Sequence, residues 1–314
     1  MILTVTLNAS IDKLYLMDAI HPETVMRVKE VHNTAGGKGL NVSKVASLLG
    51  EPVTVMGFTG GCNGQYLESL LAHPLIRPAF THVSAETRSC INCWDLSNGR
   101  STEYLEPGEP VTEEEVGRFL SDYERALPKA KVVSISGSAP KGVPGDYYSG
   151  LIRRAAERGI PVLIDTSGPR LLDAAGAKPF LLKPNEDEMA QLTGREVNTR
   201  TAEGRAEAVR ALLDLRAGGI SCAVLSLGAE GAILACDEGI FVGKPPVIRP
   251  RNTVGCGDSM VAGFAVGISR GFSMPETFRM ALAVSAANAL SLFTGDFDPR
   301  DYERLYPEVT IEKQ

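Results

Sequence analysis

Residues 132–165 read VVSISGSAPKGVPGDYYSGLIRRAAERGIPVLID and contain the alternation that decides the fold. The stretch begins with the β-branched run VVSIS and ends with PVLID at 161–165, and both runs are typical of buried strands. Between them, Pro144 is placed to open a helix and Gly159 to close it. This order of strand, helix and strand predicts a parallel pair whose connecting helix covers one face of a sheet.

The same alternation extends outward in both directions. Further short apolar runs are ILTVTL at 2–7, VTVMGF at 53–58, FLL at 180–182 and CAVLSL at 222–227. Most are separated by a helix-length segment, and helix starts are marked by signals such as the capping box of Thr112 and Glu115. The pattern predicts an α/β fold with three layers, in which helices cover both faces of a mostly parallel central sheet.

Two segments, 13–33 and 88–106, interrupt this rhythm with strand-like alternation. The second contains SCINCWDL and STEYLE joined by the turn SNGR. We expect the two insertions to assemble one small β-sheet that acts as a lid and excludes water from a ligand. The chain is then a single domain, 1–314, with a β-lid whose free strand edges could pair with a second copy in a homodimer.

Composition and charge exclude several classes of function. The chain has 32 Lys and Arg against 38 Asp and Glu, a net charge of −6, which argues against nucleic-acid binding. No apolar run approaches the length of a membrane span. The beginning, MILTVTLNAS, enters a strand-like run without a basic leader, so we expect a cytoplasmic protein and a small-molecule partner.

The six cysteines show no disulfide spacing, and free thiols are expected. The CINC sequence at 90–93 resembles a C-x-x-C motif, but residues three apart in a strand point to opposite faces. It therefore predicts neither a zinc site nor a redox site.

A glycine-rich segment, TAGGKGLNVSKVASLLG at 34–50, surrounds Lys38. Its glycines let backbone N–H groups approach a ligand closely, and a helix starting near Leu40 directs its positive end to the same place, which suits an oxyanion. It is not a Walker A loop, since Lys38 is followed by Gly39. A glycine-rich helix entry with an exposed lysine explains this segment equally well.

Two further segments admit both a structural and a functional interpretation. In KPNEDEMAQLTG at 183–194, Asn185 caps a helix with an acidic first turn, and Asn185 and Glu188 could also reach toward one hydrated Mg²⁺. In SLGAEG at 226–231, two glycines at a strand end could let adenosine lie against the backbone, or could form a simple turn.

The most informative stretch is NTVGCGDS at 252–259. An apolar helical pattern begins at Met260, so Asp258 lies in the first helical turn, where capping is the plain explanation. The small residues before it make a concave row of N–H donors, and the carboxylate beside them could accept a proton from an attacking hydroxyl. An anion hole and a base in one turn suit phosphoryl transfer to an alcohol.

Eight motifs occur in the order in which one family has them: TLNASID, AGGKGLNVS, ETRSCI, SGSAPKG, IDTSG, KPNEDE, SLGAEGA and NTVGCGDSMVAG. The chain resembles the ribokinase-type (phosphofructokinase B) carbohydrate kinases over essentially its whole length. The resemblance implies a ribokinase-like fold and the use of ATP and Mg²⁺. Three cations, Arg27, Lys38 and Arg88, indicate a phosphorylated sugar and the branch of tagatose-6-phosphate kinases and 1-phosphofructokinases.

The resemblance also implies roles for the matching residues. The implied catalytic set is Asp258 as the base, with Gly255, Cys256 and Gly257 as the anion hole. The implied sugar-hydroxyl ligands are Asp12, Gly37 and Asn41, and the implied ligands of the sugar's phosphate are Arg27, Lys38, Arg88 and Ser138. The implied nucleotide-site residues are Lys183 for the ATP phosphates, Ser226, Gly228, Gly231 and Asn288 along the nucleotide, and Asn185 and Glu188 for Mg²⁺ through water.

The expected activity is ATP-dependent phosphorylation of a ketohexose monophosphate, with tagatose-6-phosphate converted to tagatose 1,6-bisphosphate. The alternative is a 1-phosphofructokinase. A non-catalytic sugar-phosphate sensor would keep the fold and the cations without needing Asp258, and a nucleoside or vitamin kinase would not need the cations.

Cys256 departs from the family, which usually has alanine or serine at this position. A helix N-terminus can lower the pKa of a thiol and make it reactive. We therefore expect alkylation of Cys256 to inhibit the enzyme and ATP to slow the reaction.

Overall fold

The computed structural model describes all residues, 1–314, as two β-sheets and ten α-helices. The strands are β1 (Ile2–Thr6), β2 (Ser10–Met17), β3 (Glu30–Gly36), β4 (Val53–Gly60), β5 (Ile76–Pro78), β6 (Thr81–Val83), β7 (Arg88–Asp95), β8 (Arg100–Leu105), β9 (Val132–Ser136), β10 (Val162–Asp165), β11 (Leu181–Leu182), β12 (Cys222–Ser226), β13 (Ala232–Cys236), β14 (Gly239–Lys244) and β15 (Thr310–Lys313). The helices are α1 (Lys38–Leu48), α2 (Gly61–Ser69), α3 (Glu113–Ala126), α4 (Tyr147–Ala156), α5 (Pro169–Gly176), α6 (Glu186–Thr193), α7 (Ala202–Ala217), α8 (Cys256–Ser269), α9 (Met274–Leu290) and α10 (Pro299–Leu305).

The large sheet has the order β15-β14-β13-β12-β11-β10-β9-β1-β4-β5, and β6 pairs with the far end of β4. All pairs from β12 to β5 and β6 are parallel, and β13, β14 and β15 extend the sheet by antiparallel pairing. The expected mostly parallel sheet is confirmed. After β1, the chain adds β4 on one side of β1 and later adds β9 on the other side. The strand order therefore reverses beside β1.

The two faces of the large sheet are covered by different helices. Along β1, Ile2 packs into the core beneath α1, α8 and α9, whereas Leu3 packs into the core beneath α3, α4 and α5. Successive residues of a strand point to opposite faces, so a strand buried on both sides has a continuous apolar sequence. The predicted three-layer arrangement is confirmed.

The helices begin at the predicted signals, with one shift in position. Thr112 and Glu115 form the predicted capping box of α3, and Thr201 caps α7. The helix expected to open at Pro144 begins at Tyr147 instead, because the carbonyl of Pro144 accepts the Tyr147 amide in a preceding turn.

The small sheet, which we call the lid, has the order β3-β2-β7-β8. Its strands correspond to the two interrupting segments, except that β2 begins at Ser10, before residue 13, and β3 ends at Gly36, after residue 33. Strand β2 pairs with β7 in parallel from Ser10 opposite Arg88. The lid follows directly from β1 and leads directly into α1, so its inner face stands over the end of the large sheet. None of the helices combines the length and the apolarity that crossing a membrane requires.

Candidate active site

A cavity of about 580 Å³ lies where the carboxyl ends of the parallel strands meet the lid. Residues at or just beyond five adjacent strand ends line it: Thr6 and Asn8, Gly137 and Ser138, Asp165 and Thr166, Lys183 and Asn185, and Ser226. Ligands bind open α/β sheets at this edge, near the reversal of strand order. The cavity is therefore the candidate active site.

Asp258 lies in the first turn of α8 and forms part of the cavity wall. Its side chain is buried, and Asn41 Nδ2 donates a hydrogen bond to Asp258 Oδ2 at 2.8 Å. Burial raises the pKa of Asp258 to about 6, and the negative charge of Asp165 contributes to the rise. A buried carboxylate with this pKa is suited to accept a proton from a hydroxyl.

The turn that precedes Asp258 requires glycine. Gly255 has φ of 82°, and a Cβ there would lie 2.6 Å from the methyl carbon of Thr294. In the first turn of α8, the amides of Gly257 and Asp258 have no hydrogen-bond partner within the protein. Free amides at the positive end of a helix beside a cavity can stabilise an anion.

The thiol of Cys256 does not have the environment expected from the sequence. Asn288 Nδ2 lies 3.6 Å from its Sγ, so the side chain points toward α9, and Cys256 is absent from the cavity wall. Burial raises the pKa of this thiol, and the charge of Asp258 acts in the same direction. The expectation of a lowered pKa is wrong, because burial outweighs the position at a helix N-terminus.

A buried carboxylate, Asp165, joins two lysines beneath the cavity. Lys38 Nζ lies 3.0 Å from Asp165 Oδ1, and Lys183 Nζ lies 3.5 Å from Asp165 Oδ2. The charge of Asp165 raises the pKa of Lys38. Burial acts to raise the pKa of Asp165, but the charges of the two lysines outweigh it and hold this pKa below its usual value. The ammonium group of Lys38 is thus held charged at the cavity floor, with Lys183 beside it.

The residues expected around the sugar hydroxyls lie together. Asp12 is on β2 and accepts a hydrogen bond from Ser10 Oγ at 2.7 Å, while burial raises the pKa of Asp12. A Cβ on Gly36 would lie 1.9 Å from the carboxyl carbon of Asp12, so only glycine leaves room for this carboxylate. Gly37, with φ of 106°, starts α1, on which Asn41 lies one turn later.

Of the residues expected at the sugar's phosphate, Lys38, Arg88 and Ser138 line the cavity and Arg27 does not. Arg27 lies exposed in the loop between β2 and β3, outside the lining of the cavity. Arg88 donates to the carbonyls of Asn8 at 2.9 Å and Glu106 at 2.7 Å. It thus also ties the lid to the end of β1.

Asn185 and Glu188 form a capping box at the start of α6. Asn185 Oδ1 accepts the Glu188 amide at 2.8 Å, and Glu188 Oε2 accepts the Asn185 amide at 3.0 Å. Glu188 lines the cavity with its second oxygen free of protein partners. No group of three or more acidic, His or Cys side chains could enclose a metal. The residues fit a hydrated Mg²⁺ that one carboxylate and substrate phosphates hold, which is how Mg²⁺ is usually bound.

The residues expected along the nucleotide do not all line the cavity. Ser226 lines the cavity, whereas Gly228 and Gly231 lie outside its lining. A Cβ on Gly231 would lie 2.0 Å from the carbonyl oxygen of Gly243, so this glycine serves the packing of β13 against β14.

The expected nucleotide contact of Asn288 is contradicted, because this residue is fully buried and its amide is used within the protein. Its Nδ2 donates to the Val254 carbonyl at 3.1 Å, and its Oδ1 accepts the amides of Gly295 and Asp296 at 3.0 and 3.3 Å. Asn288 therefore fastens the turn before α8 to the segment after α9.

Asp165 was not among the residues singled out from the sequence. The signal was present: a lone carboxylate ends the apolar strand PVLID, next to two other strands whose ends carry candidate residues. Its charge partners could not be identified, since Lys38 is 127 positions away.

Comparisons with known proteins identify the family of the chain. The model of the pfkB family of carbohydrate kinases matches residues 5–299. Phosphofructokinase-2 from Escherichia coli, solved in complex with potassium, has a TM-score of 0.89 and 28% identity, over 98% of both chains. A putative phosphofructokinase from Staphylococcus aureus has a TM-score of 0.84 and 30% identity, over 100% of this chain and 99% of that one. A possible 1-phosphofructokinase from Thermotoga maritima has a TM-score of 0.84 and 28% identity over the same shares.

Proposed function

The chain belongs to the pfkB family of carbohydrate kinases, and we propose that it transfers the terminal phosphoryl group of ATP to a hydroxyl of a ketohexose monophosphate. The observation that carries the proposal is the buried carboxylate of Asp258 beside free helix amides and two charged lysines. The proposed substrate is tagatose-6-phosphate and the product tagatose 1,6-bisphosphate. The alternative is fructose-1-phosphate, the substrate of a 1-phosphofructokinase.

In the proposed reaction Asp258 accepts the proton of the attacking hydroxyl. The amides of Gly257 and Asp258 stabilise the negative charge that develops on the transferred group. Lys183 is proposed to neutralise the ATP phosphates, and Lys38, bonded to the same carboxylate of Asp165, is proposed to hold the sugar's own phosphate. These residues mostly position groups and neutralise charge, which is what this chemistry asks of a protein.

Mg²⁺, when bound, would supply positive charge that offsets the negative charge of the nucleotide phosphates. Asn185 and Glu188 would hold it through water. The free oxygen of Glu188 supports this role, and the second lone pair of Asn185 Oδ1 remains available beside the capping bond. Ser226, Gly228 and Gly231 are proposed to follow the nucleotide beyond the cavity.

The sugar is proposed to lie between Asp12, Gly37 and Asn41, with its phosphate on Arg88 and Ser138. Cations that line the cavity of a chain with a net charge of −6 support an anionic substrate. A nucleoside or vitamin would not require them.

A coupled assay of ADP release tests the proposal with tagatose-6-phosphate, fructose-1-phosphate and fructose-6-phosphate. We expect turnover of at least one, and the ranking of kcat/KM identifies the substrate. Asp258→Asn should lower kcat by about 10² or more while substrate still binds, the scale of losing a general base. The exposed Asp214→Asn on α7 is the matched control and should leave kcat unchanged. Binding of a sugar phosphate without any ADP release would identify a sensor instead.

The lid is also the proposed surface for a homodimer in the cytoplasm. Its edge strands β3 and β8 present Val31, Tyr104 and Leu105, which are 52%, 61% and 65% exposed. Phosphofructokinase-2 from E. coli has been solved in a tetrameric inhibited form. Light scattering after gel filtration should give twice the monomer mass, and Tyr104→Glu should lower it; a wild-type monomer would refute the dimer.

A further inference from the structure

The inner face of the lid carries two rows of side chains that line the cavity. The first row holds Asp12 and Cys90, which face each other between β2 and β7. The second row lies two residues further along each strand and holds Leu14, Asn92 and Glu103. The strand rise puts the rows about 6–7 Å apart, which is close to the width of a sugar ring.

Asn92 and Glu103 occupy directly opposite positions on β7 and β8. The amide of Glu106 bonds the carbonyl of Ser89, which marks a hydrogen-bonded pair of the antiparallel ladder. Because such pairs alternate, Asn92 and Glu103 form a non-hydrogen-bonded pair, the type in which facing side chains come closer together.

Neither side chain makes a hydrogen bond with the other or with any protein group, and Asn92 Oδ1 is buried without a partner. Buried polar atoms in folded proteins nearly always have a partner. A buried oxygen without a partner on the wall of an open cavity therefore indicates that Asn92 binds a ligand, and Glu103 lines the same wall beside it.

The chemistry of the pair fits hydroxyl groups. The Asn92 amide both donates and accepts, and the Glu103 carboxylate accepts, as vicinal hydroxyls require. Partial burial, together with the charge of Asp12, raises the pKa of Glu103, which lines the cavity while it stays accessible to solvent. A carboxylate repels a phosphate, and Arg88 lies four residues back on β7, about 13 Å away along the strand. The pair thus faces the uncharged part of the substrate.

We propose that Asn92 and Glu103 form a specificity pair that hydrogen-bonds hydroxyls of the acceptor sugar and sets which ketohexose phosphate epimer is preferred. This inference rests on the proposed function. Discrimination arises because an epimer that places a hydroxyl elsewhere leaves the buried Asn92 oxygen unpaired, and sites built to bond a hydroxyl reject analogues that lack it.

The test compares tagatose-6-phosphate with fructose-6-phosphate, which differ in the configuration of one hydroxyl, for the wild type, Glu103→Gln and Asn92→Ala. We expect kcat/KM for the preferred epimer to fall about 10-fold or more in Glu103→Gln, the scale of a lost hydrogen bond to a charged group, and about 5- to 10-fold in Asn92→Ala, the scale of a lost neutral hydrogen bond. The other epimer should change less than about 3-fold and the KM for ATP less than about 2-fold. Ser101→Ala, one row further out on the same strand and off the cavity wall, is the control and should change nothing.

The outcomes separate the two claims. A wild type that turns over no ketohexose phosphate refutes the proposed function. An active wild type whose epimer ratio survives both substitutions refutes the specificity pair, as does an equal loss on both sugars with a raised KM for ATP. Glu103→Gln keeps the shape of the side chain on a strand whose residues are all exposed, so it decides the question if Asn92→Ala does not fold.

Discussion

The hydrogen bond from Asn41 to Asp258 links the proton affinity of the proposed base to a different helix. Asn41→Ala removes a donor 2.8 Å from Asp258 Oδ2. A hydrogen bond to a charged group contributes about 1.5–3 kcal/mol, and 1.36 kcal/mol corresponds to a tenfold change in acidity. The lost donor stabilises the carboxylate and not the acid, so the pKa of Asp258 should rise from about 6 to about 7–8.

The assay is kcat/KM for the sugar phosphate measured from pH 5.5 to 9. Its acid limb reports the ionisation of the base in the free enzyme. A raised pKa protonates the base at neutral pH, so at pH 7 the ionised fraction should fall from about 0.9 to between about 0.5 and 0.1. At pH 9 the variant should return to its plateau. A plateau below that of the wild type measures the separate loss of the proposed sugar contact of Asn41.

Ser47→Ala, two turns further along α1, is the matched control, because Ser47 bonds only the carbonyl of Lys44 and lies off the cavity wall. Its acid limb should coincide with that of the wild type. An Asn41→Ala profile with a lowered plateau and an unmoved acid limb would refute the reasoning, since Asn41 would then act on the sugar alone.

Three further predictions concern the pKa of Asp258, the reactivity of the Cys256 thiol and the space beside Gly36. Asp165→Asn removes a negative charge that raises the pKa of Asp258, so the acid limb should move below pH 6 in the same titration. The plateau should fall as well, because two lysines lose their anchor. Cys256 should react slowly with iodoacetamide at pH 7, followed by peptide mass spectrometry, because burial raises the pKa of its thiol. Gly36→Ala puts a carbon 1.9 Å from the carboxyl carbon of Asp12, so initial rates should show the KM for sugar raised about 10-fold or more with little change for ATP.

Each of these three predictions has a control or an outcome that would contradict it. An acid limb that moves upward in Asp165→Asn would contradict the first. Exposed Cys62 is the reference thiol, and equal rates at Cys62 and Cys256 would contradict the second. Gly117→Ala on α3 meets no atom within 4 Å and should leave both KM values unchanged, whereas a wild-type KM in Gly36→Ala would contradict the third.

Most of the fold could be predicted because its signals are local. The apolar runs that flank Pro144 and Gly159 became β9 and β10, and the capping box at Thr112 became the start of α3. The order of strands within the sheet did not follow from these signals, because pairing depends on contacts between distant segments. The reversal of order beside β1, which locates the cavity, appears only in the tertiary structure.

The site was predicted in part. The backbone motifs gave Asp258, Lys183 and Glu188, all of which line one cavity. The predictions differ from the structure where a side chain's role depends on its surroundings. The thiol of Cys256 points toward α9, and the amide of Asn288 bonds within the protein.

The sequence by itself determined the α/β layers, the lid segments and the glycines and carboxylate of the turn at 252–259, because periodicity, capping and turn chemistry are set by neighbours along the chain. Only the tertiary structure decided which charges meet. Asn41 reaches Asp258 across 217 positions, and the pKa of about 6 follows from burial and from the charge of Asp165 at the end of β10. Burial and through-space charge depend on how distant segments pack, and no local pattern contains that information.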